Sequence, residues 1–134
     1  MAFADRDGAR GVDLAEELKS SGGEVLFVEA KMQREAEAMA FIQHTAEHFV
    51  QLDILVNNAA IRRYQTVVEA SEESWDTILG VNVKGYAFCA KAAIPILRRS
   101  GKSSIVNIAS HNAIVAGDNT VQYDTTKSAV VGLT

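Results

Sequence analysis

Cysteine, long apolar runs and any excess of positive charge are what this sequence lacks, and each absence closes a class of explanation. The single cysteine, Cys89, excludes an internal disulfide framework and a cysteine-built zinc site. Its setting, YAFCAKAAI, reads as packed helix, so Cys89 is expected to be a small core residue and not a nucleophile. The longest apolar stretches, such as IVNIAS and DILVNNAAI, are too short to span a bilayer. No charged segment followed by an apolar run opens the chain, so no secretory signal is read. A net charge of −4 gives no electrostatic reason to expect nucleic acid or an anionic membrane as partner. With 48% hydrophobic and 22% charged residues the composition is that of a globular domain, with the cytoplasm as expected compartment.

What is present alternates. MAFADRD is a short apolar run ending in acid, the pattern of a strand emerging into a turn. GARGVDLAEELKSSGG places Ala9, Val12, Ala15 and Leu18 at helical spacing, and Gly22-Gly23 stops it. EVLFVEA is a second strand, and REAEAMAFIQHTAEHFVQ a helix with Met39, Phe41 or Ile42, Thr45 and Phe49 on one side. LDILVNNAA is a third strand, continuous in apolar residues as for burial on both faces. Ser71 can cap the next helix, with Glu72 and Glu73 near its positive end. That helix or helix pair continues through VNVKGYAFCAKAAIPILRRS, where Pro95 predicts a kink or break. SSIVNIAS is a fourth strand and YDTTKSAVVGLT begins a last helix. Strands alternating with helical crossovers mean parallel pairing, hence an α/β, doubly wound sheet in one domain over residues 1–134.

Ligands of such sheets bind beyond the carboxyl ends of the strands. Those ends carry Asp5, then Asn57-Asn58-Ala59-Ala60, then Ser110. Tyr123 and Lys127 follow at i and i+4 of a helix, so phenol and ammonium can share one face. A free tyrosine has a pKa near 10 and is a poor acid/base group at neutral pH. An ammonium close by favours the phenolate, and a serine hydroxyl can hydrogen-bond the oxygen that exchanges the proton. Such a set suits proton transfer to a carbonyl oxygen, or from an alcohol, while another group moves the hydride.

NNAA after a strand, VNVKG in a helix, IVNIAS, and YDTTK, in this order, resemble the short-chain dehydrogenase/reductases. The resemblance covers essentially the whole chain and implies a Rossmann-like fold. It implies Tyr123 as general acid/base, with Lys127 lowering its pKa and holding the nicotinamide ribose. Ser110 would orient the substrate oxygen, and Asn82 would hold a water in a proton relay through Lys127. Asn58 and the backbone at Ala59-Ala60 would line the cofactor cleft, Ala60 standing where the family commonly has glycine. Asp5 matches the acid that accepts from the adenosine ribose, so NAD is favoured over NADP, although Arg6 beside it could attract a 2′-phosphate. Lys31 stands where the family usually has an aspartate near adenine. The implied partners are a small alcohol or carbonyl substrate and further copies of the same chain.

The family's Gly-rich phosphate turn between first strand and first helix is not found; Gly8-Ala9-Arg10-Gly11 follows the acid and lacks the spacing. MAFADRD therefore matches the family's second strand. The chain is expected to be an internal fragment, without the central first strand and the last strands, and inactive by itself. An association module is the alternative function. His44 to His48 fits His-x-x-Glu-His, a zinc peptidase pattern, but without a third ligand it reads as a solvated helix face. Trp75 and Tyr86 read as packing residues, and Arg62-Arg63 and Arg98-Arg99 as solvated pairs.

Overall fold

The computed structural model describes residues 1–134. Strands and helices alternate as β1 (Ala2–Asp5), α1 (Gly8–Ser20), β2 (Leu26–Glu29), α2 (Glu35–Phe49), β3 (Ile54–Asn57), α3 (Glu72–Leu79), α4 (Gly85–Ser100), β4 (Ser104–Asn107) and α5 (Val121–Leu133). A π-helical turn, Gly80–Lys84, joins α3 to α4, and a 3₁₀ turn, His111–Ala113, follows β4. All pairing is parallel, as the helical crossovers require. β1 pairs with β2 and β3 with β4, and no ladder joins the two pairs. The doubly wound class is as expected, and the sheet is incomplete at the position between β1 and β3.

The core lies under β3, where α2 and α4 cross. Ala38, Ile42, Leu55, Cys89, Ala93 and Leu97 are buried together there. Alanines at 38 and 93, both fully covered, let the two helices approach closely. Cys89 Sγ sits 3.7 Å from Met32 Sδ, and burial pushes its thiol up to about 11, so it is the inert core residue expected. Truncating Ile42 to alanine here would cost about 2–5 kcal/mol.

On the other pair, α1 lies against β2. A Cβ on Gly11 would stand 2.0 Å from the Phe27 ring, so only glycine permits this approach. The packed side of α1 is Gly11 and Ala15, while Val12 remains 48% exposed, so the inward stripe is shifted from the spacing read in the sequence. Asp7 caps α1 by accepting from the Arg10 N–H at 3.1 Å. Ser71 caps α3 as expected, accepting from the Ser74 N–H at 3.2 Å.

Two expectations are corrected. β3 is not covered on both faces: Leu55 and Asn57 are buried, whereas Ile54 and Val56 are 61% and 54% exposed. No element of these residues packs on that side of the β3–β4 pair. Nor does Pro95 break its helix; α4 runs through it to Ser100. The irregularity falls earlier, at the π turn, where the Gly85 N–H bonds the Gly80 carbonyl in an i→i+5 step. No helix is long and apolar enough to cross a membrane.

Candidate active site

The site forms where the carboxyl ends of β3 and β4 meet the π turn and α5. Asn57 and Asn107 are paired in register, and the Asn57 amide donates to Asn107 Oδ1 at 2.9 Å. Asn57 is buried and Asn107 half-buried, and the following Asn58 is exposed.

Asn82, wholly buried in the π turn, then fixes the chain after β3. Its Oδ1 accepts from the Ile61 N–H at 2.8 Å, and its Nδ2 donates to the Ile61 carbonyl at 2.9 Å. The second Nδ2 proton goes to Thr126 Oγ1 at 3.0 Å, and that hydroxyl donates to the Tyr123 carbonyl at 2.8 Å. Both amide donors of Asn82 are thus used within the protein. One side chain joins the NNAA loop to the helix that carries Tyr123 and Lys127.

Tyr123 and Lys127 share a face of α5, with the ammonium 5.7 Å from the phenol ring centroid. Lys127 is 2% exposed, and its Nζ makes a short hydrogen bond to the Ile108 carbonyl and a 3.5 Å contact with the Tyr86 hydroxyl. Tyr86 also donates to Ile108 O, at 3.3 Å. No carboxylate accompanies the ammonium, and burial lowers the Lys127 pKa from its ordinary value. Burial, and then the proximity of Tyr123, push the Tyr86 phenol up to about 12, so Tyr86 stays protonated.

Ser110 caps the 3₁₀ turn, its Oγ accepting from the Asn112 N–H at 3.2 Å. Ser128 of α5 donates to the Ala113 carbonyl at 2.9 Å, which ties this turn to the Tyr123 helix. Asp124 holds the rest of the loop. Its Oδ1 accepts from Asn112 at 2.7 Å, and its Oδ2 from the Gly117 N–H at 2.8 Å and Thr120 at 3.0 Å. Burial alone would raise the Asp124 pKa, but these donors and the Arg62 charge more than offset it, so the net shift is downward. A cleft of about 530 Å³ lies on this side of α5, lined by Asp124 and Ser128 but not by Tyr123 or Lys127.

The residues read as cofactor-binding are less tightly grouped. Asp5 is exposed at the end of β1, in the other strand pair, with Oδ1 accepting from the Asp7 N–H at 2.9 Å. Asn58 and Ala60 are exposed and Ala59 half-buried at the end of β3. Lys31 is exposed beyond β2, its backbone N–H held by Glu37 at 2.7 Å. His48 faces Glu24 at 3.5 Å across from α2.

This arrangement has known counterparts. The family model described as short chain dehydrogenase matches residues 1–134. The chain belongs to the short-chain dehydrogenase/reductase family. An uncharacterized oxidoreductase of Thermotoga maritima is 36% identical over 134 residues, all of this chain and 53% of that protein. The 3-oxoacyl-[acyl-carrier-protein] reductase FabG of Staphylococcus aureus is 32% identical over 121 residues, 90% of this chain and 49% of its own. A Burkholderia phymatum short-chain dehydrogenase/reductase, crystallised with NAD, superposes with a TM-score of 0.95 at 28% identity, covering 98% of this chain and 47% of that one. The chain therefore spans about half the length of the curated relatives it matches.

Sequence reasoning passed over two contacts of the Tyr123–Lys127 pair. Tyr86 is the inner partner of Lys127, not packing alone. Arg62 is solvent-exposed, as read, and also stacks on the Tyr123 ring, 5.2 Å from its centroid. The signal for Tyr86 was present: it lies four residues after Asn82, on the same helical face. Arg62 had none, because its position follows from the way Asn82 pins Ile61.

Proposed function

We propose that the protein containing this sequence interconverts an alcohol and a carbonyl compound, with NAD as hydride carrier and Tyr123 as general acid/base. The observation that carries this reading is the Tyr123–Lys127 pair on one face of α5, joined through Thr126 and Asn82 to the loop at the end of β3. In the reductive direction the Tyr123 hydroxyl gives its proton to the substrate oxygen; in oxidation it takes it back. The Lys127 ammonium, fixed behind the ring, stabilises negative charge developing on the phenol oxygen. Ser110 orients the substrate oxygen, and Asn82 keeps the loop and helix in register while the proton moves. The bound nicotinamide supplies or removes the hydride. Asp5 supports NAD over NADP, since a carboxylate at that strand end repels a 2′-phosphate. The neighbour crystallised with NAD supports the same choice.

Replacing Tyr123 by phenylalanine in the full-length protein tests the reading. Turnover followed by NADH absorbance should fall about 10²- to 10⁴-fold, the range for removing a general acid/base. Retained turnover would falsify the role of Tyr123.

A second reading concerns these 134 residues taken alone. β1 and β3 each present an unpaired edge, and Ile54 and Val56 leave an apolar face open. An isolated chain of this kind acts at most as an association module, without turnover. Size-exclusion chromatography with an NADH titration separates the readings: self-association without binding supports the module, and micromolar NADH binding excludes it.

A further inference from the structure

Arg62 overhangs the proposed proton donor. Its guanidinium carbon lies 5.2 Å from the Tyr123 ring centroid and 4.8 Å from that of Tyr64. Even at an exposed site such stacking biases where a long side chain rests. The backbone just before it is fixed as well, since Asn82 holds both the N–H and the carbonyl of Ile61. The cation is thus rooted on a fixed loop and laid across the ring of Tyr123.

No carboxylate of the chain neutralises it. The ion pairs are Arg10–Asp7, Arg34–Glu37, His48–Glu24 and Lys91–Glu35. Asp124 is close enough to feel the Arg62 charge, yet its oxygens are committed to Asn112, Gly117 and Thr120. Glu69, on the same loop, is occupied by the Thr66 N–H and hydroxyl. A guanidinium carries five N–H donors in a planar fork matched to a carboxylate. Two cations thus lie near the phenol ring, Arg62 at 5.2 Å and Lys127 at 5.7 Å from its centroid.

We propose that Arg62 selects substrates bearing a carboxylate or other anionic group a few bonds from the reacting carbon, the class of oxo acids and hydroxy acids. The inference rests on the dehydrogenase reading and names the substrate class of that same site. A carbonyl oxygen at Tyr123 leaves an attached anion within reach of the Arg62 fork. A neutral analogue leaves the fork to water alone, so it gains nothing from Arg62 in the transition state.

The test uses the full-length protein and matched probes: 4-oxopentanoate against its methyl ester with NADH or NADPH, and 3-hydroxybutyrate against its methyl ester with the oxidised cofactors. The acids should be preferred in kcat/KM by at least about tenfold at low salt, the size of one hydrogen bond to a charged group. Arg62→Gln should collapse that ratio, and Arg62→Lys should restore part of it, because charge returns without the fork. Equal use of acid and ester, or a ratio unchanged by Arg62→Gln, overturns the inference and leaves the dehydrogenase reading standing. A rise in the KM for NADH with the ratio unchanged assigns the cation to the cofactor phosphates and overturns it too. Failure of every probe with either cofactor removes the dehydrogenase reading, and the inference with it.

Discussion

The Lys127 ammonium meets the Tyr86 hydroxyl at 3.5 Å, and the two share the Ile108 carbonyl as acceptor. The lysine is close to two tyrosines, 5.5 Å from the Tyr86 ring centroid and 5.7 Å from that of Tyr123. Tyr123 is half-buried, whereas Tyr86 is buried and holds its proton up to about pH 12. A neutral hydroxyl beside a buried ammonium stabilises the charged form without competing for its charge.

Tyr86→Phe keeps the ring and removes that acceptor. Losing a hydrogen bond to the charged group disfavours the ammonium, so the Lys127 pKa should fall further below its ordinary value. The alkaline limb of kcat/KM in the full-length protein should move to lower pH with it. A Tyr86→Phe profile superposable on the wild type would reduce Tyr86 to a packing residue.

Lys127 itself carries a stability cost. Its pKa is lowered by burial, so in the window from that depressed value up to about 10.4 the unfolded chain binds more protons than the folded one. Stability contributed by this group therefore rises with pH through the window, and at neutral pH the buried charge opposes folding. Lys127→Met should raise the guanidinium midpoint by an amount corresponding to about 1–3 kcal/mol while abolishing turnover. Tyr86 still donates to Ile108 O in the variant, so that carbonyl is not orphaned. A lower midpoint would show that the ammonium's hydrogen bonds outweigh its desolvation.

Asn82 should behave as a structural pin. Asn82→Ala strands the Ile61 N–H and carbonyl together, each in a partly buried setting, at about 1–3 kcal/mol per unsatisfied group. Hydrogen exchange at the Ile61 amide should accelerate, along with the fall in stability. If that amide remains protected in the variant, something other than Asn82 fixes the loop.

The fold class was legible because alternation of apolar runs with helical spacing is a local signal. So was the Tyr123–Lys127 pair, whose i,i+4 separation is fixed by helix geometry. Element boundaries were readable where a side chain enforces them, as at Ser71. The exposure of Ile54 and Val56 was not, since it depends on what lies across the sheet and not on the strand's own composition. The π turn was hidden for a related reason: Pro95 is a strong local breaker in sequence, yet the register shift arises where Asn82 must reach Ile61 and Thr126 at once. Arg62 escaped notice because nothing in a pair of adjacent arginines tells that a pinned loop lays one of them over Tyr123.

Asp124 sets the last prediction. Its carboxylate gathers Asn112, Gly117 and Thr120, and so holds the loop that follows Ser110 against α5. Its folded pKa is lowered even though burial acts in the opposite direction, because the donors and Arg62 outweigh desolvation. A depressed carboxylate contributes stability that is complete above the unfolded value, about 3.9, and is lost as pH falls through the folded one. The loop should therefore hold at neutral pH and loosen only in acid below about pH 4. Asp124→Asn places an amide N–H₂ where an acceptor is needed and leaves either Asn112 or the Gly117 and Thr120 donors unmatched, loosening the loop in both orientations at about 1–3 kcal/mol per unmatched group. Amide exchange at Gly117 should rise in this variant at neutral pH, and the acid-dependent step in stability should shrink. A Gly117 amide as protected in Asp124→Asn as in the parent would mean that the loop is held by Ser128 and the Ala113 carbonyl instead.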